Sequence, residues 1–216
     1  MEKQLFDDIF DAQNKLRTDP ISYIPMLKEM LDKFENNENK PKIETLIVTK
    51  EDKIAVKNAI KFLSIQEPIH ALKINPSLIN AAQEHADNQE KGDTTATPLS
   101  ERMEKYCQWR GEIGENVLYC DSKNGGHEIV LAMLIDDGVR NIENFFNHEF
   151  NYVGIGLAKH PEYDLVCVMD YATSATELPI VIEPNRKPSH DFKASCKSKK
   201  AETSEKPIEA NEDQKT

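Results

Sequence analysis

Apolar residues in the first half of the chain recur at the spacing of a helix. Leu5, Ile9, Ala12 and Leu16 lie three or four positions apart, which places them on one face of a helix. Asn75-Pro76 is a start signal, because asparagine caps a helix and proline suits its first turn. The pattern predicts four helices, over about residues 5–16, 22–34, 49–63 and 75–92.

The second half of the chain changes to strand patterns. Residues 113–119 are a short strand candidate. Val153, Ile155 and Leu157 alternate with small residues, as in a strand with one apolar face. A turn at 160–162 leads into a buried strand over 165–169.

Residues 129–135 are apolar throughout, so their period cannot separate a buried helix from a buried strand. The Asp136-Asp137-Gly138 that follows is typical of a helix that ends in glycine, which favours the helix. Helices first and an antiparallel pair of strands last indicate an α+β domain. Helices are then expected to cover a small antiparallel sheet.

The composition is that of an acidic folded domain followed by a polar segment. Of the 216 residues, 38% are hydrophobic, which is enough for one core. The net charge of −11 argues against non-specific binding of nucleic acid or of an anionic membrane. No apolar run reaches the roughly 20 residues that span a bilayer. We predict one domain over residues 1–178, with a helical segment over 1–70, and a disordered charged tail over 179–216.

The amino terminus bears on the location of the protein. Its first residues, MEKQLFDD (1–8), are acidic where an exported protein would carry an apolar stretch. From this segment alone we expect a cytoplasmic protein that does not follow the classical secretory route.

Four cysteines are present, and none is spaced like a Cys-x-x-Cys metal or redox pair. A disulfide between Cys107 and Cys120 fits the sequence, and so does a reduced pair. The acidic amino terminus favours the reduced state. Cys167 lies in an apolar run and is expected to be a small buried residue.

Five segments of the chain follow one another in a distinctive order. They are LKINPSLINAAQEHADNQ (72–89), GEIGENVLY (111–119), IDDGVRN (135–141), FNYVGIGLAKH (150–160) and VCVMDYA (166–172). Together they resemble the CAP superfamily, which includes cysteine-rich secretory proteins, insect-venom antigens, plant pathogenesis-related proteins and the SCP-like proteins of bacteria and protists. The resemblance implies a three-layer α-β-α sandwich. It also implies an extracellular protein, in conflict with the amino terminus.

The resemblance extends to a metal site only in part. Superfamily members with the full motif set hold two histidines and two acidic residues around a cleft that can bind a divalent metal. Here no histidine follows the Asn-Pro helix at the expected place, and residues 138–142 lack the second, with Asn141 near its position. Glu115 is retained. Zinc needs three or four converging ligands, so we expect a degenerate metal site and no cofactor, unless His127 or His148 supplies a replacement.

The candidate binding residues are Glu115, Asn116, Asn141 and His148, and Glu115 is the candidate catalytic base. Glu115 and Asn116 also fit a structural role at the entry of a strand, because carboxylates and amides bond to nearby backbone. His85 falls on the apolar stripe of the fourth helix, so we expect it to be a core histidine rather than a ligand.

The resemblance implies a non-enzymatic binding domain, with a protein, a lipid or a sterol as its partner. The alternative is a hydrolase, or a divalent-metal-dependent protein, that uses Glu115 in the central cleft. That chemistry needs a nucleophile–base pair or a metal-activated water. The sequence offers neither at a recognisable spacing.

Overall fold

The computed structural model of the chain describes residues 2–35, 50–92, 97–136 and 139–178. The predicted tail over 179–216 lies outside the described residues. The helices within them are α1 (Glu2–Thr18), α2 (Ile24–Glu35), α3 (Lys50–Leu63), α4 (Pro76–Glu90), α5 (Leu99–Glu104), α6 (Gly126–Asp136) and α7 (Val139–Phe146). The strands are β1 (Lys73–Ile74), β2 (Cys107–Cys120), β3 (Tyr152–His160) and β4 (Asp164–Glu177), and a 3-10 turn (Pro20–Tyr23) joins α1 to α2.

The four helices predicted from periodicity are confirmed, and so is the helix over the apolar run 129–135, which is α6. Asn75 caps α4 as expected, because its side-chain oxygen accepts hydrogen bonds from the backbone of Ser77 at 2.9 Å and of Leu78 at 3.2 Å. The short helices α5 and α7 have no comparable sequence signal. In the described part of the chain, no helix is long and apolar enough to cross a membrane.

The four strands form one sheet in the order β1-β3-β4-β2. The β3–β4 and β4–β2 pairs are antiparallel, as expected, and the two-residue strand β1 adds a short parallel pair to β3. Strand β2 also begins six residues before the predicted start at 113. The extension over 107–112 is mostly polar, and it is a strand because it pairs with the polar end of β4.

Helices cover both faces of this sheet, which confirms the predicted α+β sandwich of three layers. On one face, α4 and α5 pack through small residues and Met103 against Val166, Val168 and Ala172 of β4. The other face carries the larger core, formed by α1, α2, α3, α6 and α7. Side chains of β4 alternate between the two cores, so Met169, for example, belongs to the larger one.

Two glycines let α4 lie directly on β3. A Cβ atom at Gly154 would overlap the backbone of Leu78, and one at Gly156 would overlap the backbone of Ala82. The glycines that leave one face of β3 bare in sequence therefore serve close helix packing.

The cysteines of β2 do not pair. Cys107 and Cys120 lie at opposite ends of the strand, which at about 3.3 Å per residue places them ~40 Å apart. A disulfide requires Cα atoms within about 7 Å. Both are free and buried, as is Cys167.

Gln83 of α4 closes part of the exposed edge of β3. Strand β1 pairs only with the first two residues of β3. Further along, the Gln83 amide donates to the carbonyl of Leu157 at 2.8 Å and accepts from its N–H at 3.1 Å, as a neighbouring strand would. A third bond, from the amide nitrogen to Asp87 Oδ1 at 2.7 Å, fixes the amide. Edges left unpaired are templates for association, so this side chain protects the sheet.

Arg17 of α1 joins three separate segments of the chain. Its guanidinium is fully buried and donates to the carbonyls of His70 (2.9 Å), Phe145 (2.7 Å), Asn147 (3.2 Å) and Phe150 (3.4 Å). Two of these carbonyls belong to the carboxyl end of α7 and the residue after it, where the helix dipole favours a cation. Burial lowers the pKa of Arg17 to about 10.

We predict that Arg17→Met destabilises the fold by about 3 kcal/mol or more, because it leaves several buried carbonyls without donors. Arg110→Met, at an exposed arginine of β2, is the matched control and should change stability by less than about 0.5 kcal/mol. Urea unfolding measures both. Equal losses would contradict the role assigned to Arg17.

We also predict that Gln83→Ala increases self-association, since it reopens the backbone groups of Leu157 to pairing with another chain. Asn80→Ala, at an exposed position of the same helix, is the control. Sedimentation velocity over a concentration series should show larger species for Gln83→Ala alone. The prediction fails if the two variants sediment identically.

Candidate functional site

Two carboxylates from neighbouring strands lie side by side beneath α4. Glu115 of β2 and Asp170 of β4 are direct cross-strand partners, so their side chains share one face of the sheet. Asp170 is fully buried, whereas the Glu115 side chain retains 22% exposure. Two like charges this close require a compensating cation or a proton.

Arg102 of α5 supplies a cation to both carboxylates. Its guanidinium is 2% exposed, and Nη2 donates to Glu115 Oε2 and to Asp170 Oδ1, the latter at 3.2 Å. Nη1 donates to the carbonyl of Thr97 at 3.1 Å. The short helix α5 is therefore tied to the sheet through a buried ionic cluster.

His85 of α4 completes this cluster from above the sheet. Its Nδ1 lies 2.8 Å from Glu115 Oε2. On its other side, His85 Nε2 lies 3.3 Å from Gln89 Nε2, and the Tyr119 hydroxyl donates to Gln89 Oε1 at 3.0 Å. With the amide in this orientation, Gln89 donates to His85 Nε2, so Nδ1 carries the proton donated to Glu115. We refer to His85, Arg102, Glu115 and Asp170 as the carboxylate cluster.

The carboxylate cluster separates the pKa values of its two acids. Burial raises the pKa of Glu115, but the hydrogen bond from His85 and the charge of Arg102 outweigh it, so its pKa is lowered overall. Burial, and then the Glu115 charge, raise the pKa of Asp170 well above its usual range, against the opposing effect of Arg102. The geometry favours an ionised Glu115 and a protonated Asp170 that share one guanidinium.

Asn116 and Asn141 lie on the other face of β2, away from the Glu115 side chain. Asn116 Oδ1 accepts from Asn144 at 2.7 Å, and its amide nitrogen lies 3.5 Å from the Asn141 carbonyl. The Asn141 side chain donates to the carbonyl of Met133 at 2.8 Å. Both predicted binding residues are buried and join α6 and α7 to the sheet.

The two histidines considered as replacement ligands also lie elsewhere. His148 is 78% exposed and pairs with Glu149 at 3.1 Å. His127 Nδ1 lies 2.8 Å from the Tyr23 hydroxyl. Of the predicted site residues, the structure places Glu115 alone in the carboxylate cluster.

His85, Arg102 and Asp170 are the members that sequence reasoning missed. His85, expected as a satisfied histidine of the core, is largely buried and has Glu115 and Gln89 as its partners, a pairing that the sequence did not predict. Asp170 carries a usable signal, since it is a charged residue at a buried-facing position of the apolar run 165–172. Arg102 carries no such signal, because a single arginine in a polar stretch is typical of an exposed position.

The residues of the carboxylate cluster do not fit the divalent metal that the family resemblance implies. Within the described ranges, no three His, Cys, Asp or Glu side chains are arranged to hold a metal ion. The three available donors already bond to one another or to the Arg102 guanidinium. Nor does any described Ser, Thr or Cys side chain hydrogen-bond to His85 or Glu115, so the cluster lacks a nucleophile–base pair.

A separate groove lies at the exposed edge of β3, between α1 and α4. Its volume is about 290 Å³, and its lining is apolar apart from an amide and an amine. We call it the edge groove, and its lining residues are Lys3, Phe6, Ile79, Gln83, Ile155 and Leu157.

The two carboxylates are expected to differ in their contribution to stability. At pH 7, Asp170→Asn should cost less than about 1 kcal/mol, because an amide replaces the donor and acceptor of a protonated carboxyl. Glu115→Gln should cost about 2 kcal/mol through loss of a carboxylate bonded to a guanidinium. The double variant should lose ~4 kcal/mol, more than the sum, because Arg102 then has no carboxylate partner.

Urea unfolding at several pH values measures this cycle. The lowered pKa of Glu115 means that its contribution is present above the ordinary value of 4.5 and is lost as the pH falls through the lowered pKa. The stability difference between the wild type and Glu115→Gln should therefore shrink in acid. If Asp170→Asn costs as much as Glu115→Gln at pH 7, Asp170 is ionised and the assignment is wrong.

No family model matches the chain, and no curated protein matches it. Several solved structures are similar to it. An extracellular protein containing an SCP domain from Bacillus anthracis shares 16% identity at a TM-score of 0.38, over 54% of this chain and 37% of that protein. An outer surface protein from Borrelia burgdorferi shares 20% identity at a TM-score of 0.41, over 61% of this chain and 97% of that one.

The structure of BmVAL-1 shares 18% identity at a TM-score of 0.39, over 81% of this chain and 79% of that one. The chain thus spans 37% of the length of the Bacillus anthracis protein and larger shares of the other two. The three-layer α+β sandwich itself is established by the chain's own helices and strands.

Proposed function

We propose that the chain is a CAP/SCP-like domain that acts as a non-enzymatic binding module, and that the edge groove holds a single-chain amphiphile with an anionic head group. The observation that carries this proposal is the edge groove itself, with four apolar side chains from three elements and one lysine.

The size and shape of the edge groove favour a chain. Its volume of about 290 Å³ is at the low end for small-molecule pockets, which run from ~300 to ~1,000 Å³. Phe6, Ile79 and Leu157 are each partly exposed around it, so a ligand can be buried along its length. An extended hydrocarbon chain suits such a space better than the rigid ring system of a sterol.

The polar groups of the edge groove favour an apolar ligand over a peptide. The N–H and C=O of Leu157 are already bonded to the Gln83 amide. An incoming peptide strand would have to break those bonds, whereas a hydrocarbon chain leaves them intact. This supports a lipid rather than a protein partner at this place.

Lys3 gives the edge groove its preference for an anionic head group. It is an exposed amine in the lining of an otherwise apolar groove. The whole chain carries a net charge of −11, so an anion is repelled from most of the surface. A carboxylate paired with Lys3 would place its alkyl chain along the apolar residues.

The carboxylate cluster supports the non-enzymatic part of the proposal. Glu115 Oε2 already bonds to both Arg102 and His85, so this oxygen of the carboxylate is held by two structural partners. A general base needs a free lone pair directed at a substrate proton or a water. The alternative hydrolase or metal-dependent function would require this cluster to open first.

We expect saturated fatty acids to bind with an affinity that rises with chain length and then levels off. Each methylene that enters the edge groove adds about 0.8 kcal/mol, or roughly fourfold in Kd, until the groove is full. Calorimetric titration with the series from octanoate to palmitate, below their micellar concentrations, measures the slope and the plateau.

Variants locate the binding. Ile79→Glu should abolish it, whereas Ile54→Glu, at an isoleucine of α3 that is 59% exposed, should not. Lys3→Gln should weaken fatty acids and leave the matching alcohols unchanged, with Lys61→Gln as the control. Glu115→Gln should keep full affinity. Loss of binding in Glu115→Gln alone would move the function to the carboxylate cluster and overturn the proposal.

A further inference from the structure

The carboxylate cluster does not fit the divalent metal that superfamily members with the full motif set can bind, because its donor groups bond to one another or to Arg102. We infer that Arg102 is the resident cation of this cleft, so that a guanidinium carried by the chain itself takes the place of a metal ion. The inference concerns a region separate from the edge groove and does not depend on the ligand proposed there.

Two acidic side chains create a site for positive charge in the cleft. Glu115 and Asp170 are direct cross-strand partners beneath a helix, and Asp170 has no exposed surface. Such a pair is a natural cation site, because the ionised Glu115 and the carboxyl oxygens of Asp170 both favour a positive charge between them. The Arg102 Nη2 atom contacts both, so the position is filled by the protein's own charge.

The Arg102 side chain lies in a buried environment. The side chain is 2% exposed, and its Nε is buried without a hydrogen-bond partner among the described residues. A buried guanidinium normally satisfies all its donors. Arg102 stays buried although its Nε has no partner among the described residues, which indicates that attraction to the ionised Glu115 and the hydrogen bond to Asp170 offset that cost. A guanidinium is also more weakly hydrated than an ammonium, which makes it the better buried cation.

The groups that a competing ion could use are already engaged. His85 Nδ1 lies 2.8 Å from Glu115 Oε2, at hydrogen-bond distance, whereas a metal ligand needs a nitrogen lone pair directed at the ion. A metal ion bound by Nδ1 would have to expel the guanidinium and break this hydrogen bond together. The wild type should therefore bind no zinc in the cleft. Deletion of the Arg102 guanidinium should leave a vacancy that fits a guanidinium ion.

The experiment uses chemical rescue. Arg102→Ala removes the atoms of ethylguanidinium, so this cation at tens of millimolar should raise the Tm of the variant by about 3 °C or more. Ethylammonium at the same concentration is the control for ionic strength, and Arg110→Ala is the control for arginine loss at an exposed site. A response equal to that of ethylammonium, or one shared by Arg110→Ala, would overturn the inference.

Two further measurements hold even if Arg102→Ala does not fold. Arg102→Lys keeps a cation on a similar stem, so its Tm should exceed that of Arg102→Met, and equal values would show that the cleft needs no cation. Calorimetric titration with zinc should give the same heat for the wild type and for Glu115→Gln. One equivalent of zinc, lost in Glu115→Gln, would identify the cleft as a metal site and reject the inference.

Discussion

The direct contact between α4 and β3 determines the position of everything else on that face of the sheet. Gly154 and Gly156 let the backbone of α4 rest on the strand, and any Cβ there would overlap Leu78 or Ala82. Because helix side chains recur every three or four residues, fixing these two contacts also fixes the direction of the rest of α4. His85 and Gln89 then reach towards β2, and Ile79 and Gln83 towards the exposed edge of β3.

The close approach also accounts for the buried charge. A helix lying on the sheet removes Asp170 from water, and a lone buried carboxylate would be strongly unfavourable. Arg102 relieves this cost, and Glu115 shares the same guanidinium. Buried ion pairs seldom add much net stability, but removal of one partner is costly, so the cluster fixes one arrangement of α4, α5 and the sheet. In this sense the cluster specifies the fold more than it strengthens it.

The sequence predicts the architecture well and the cluster poorly, for physical reasons. Periodicity reports which side of an element is apolar, and this suffices for the four long helices, for α6 and for the central strands. The extension of β2 over 107–112 is held to β4 by backbone hydrogen bonds, which any residue can make. It therefore leaves no apolar pattern from which a strand could be predicted. Arg102 is likewise invisible in sequence, since its burial depends on a carboxylate 68 positions away, at Asp170. Periodicity places His85 on the buried side of α4 but does not predict its partner, because only the fold brings Glu115 to it.

The two sides of α4 cover surfaces of different chemistry. Towards β2, the helix covers the Glu115 carboxylate and the Arg102 guanidinium, whose charges neutralise each other. None of the described Ser, Thr or Cys side chains hydrogen-bonds to His85 or Glu115, so the cluster has no nucleophile–base pair. Towards the edge of β3, it covers apolar side chains and uses Gln83 to satisfy the exposed backbone of Leu157. A site whose charges are paired gains little from a charged ligand, whereas an apolar groove gains from every buried methylene. The same packing that pairs the charges beneath α4 leaves the edge groove open for the ligand that we propose.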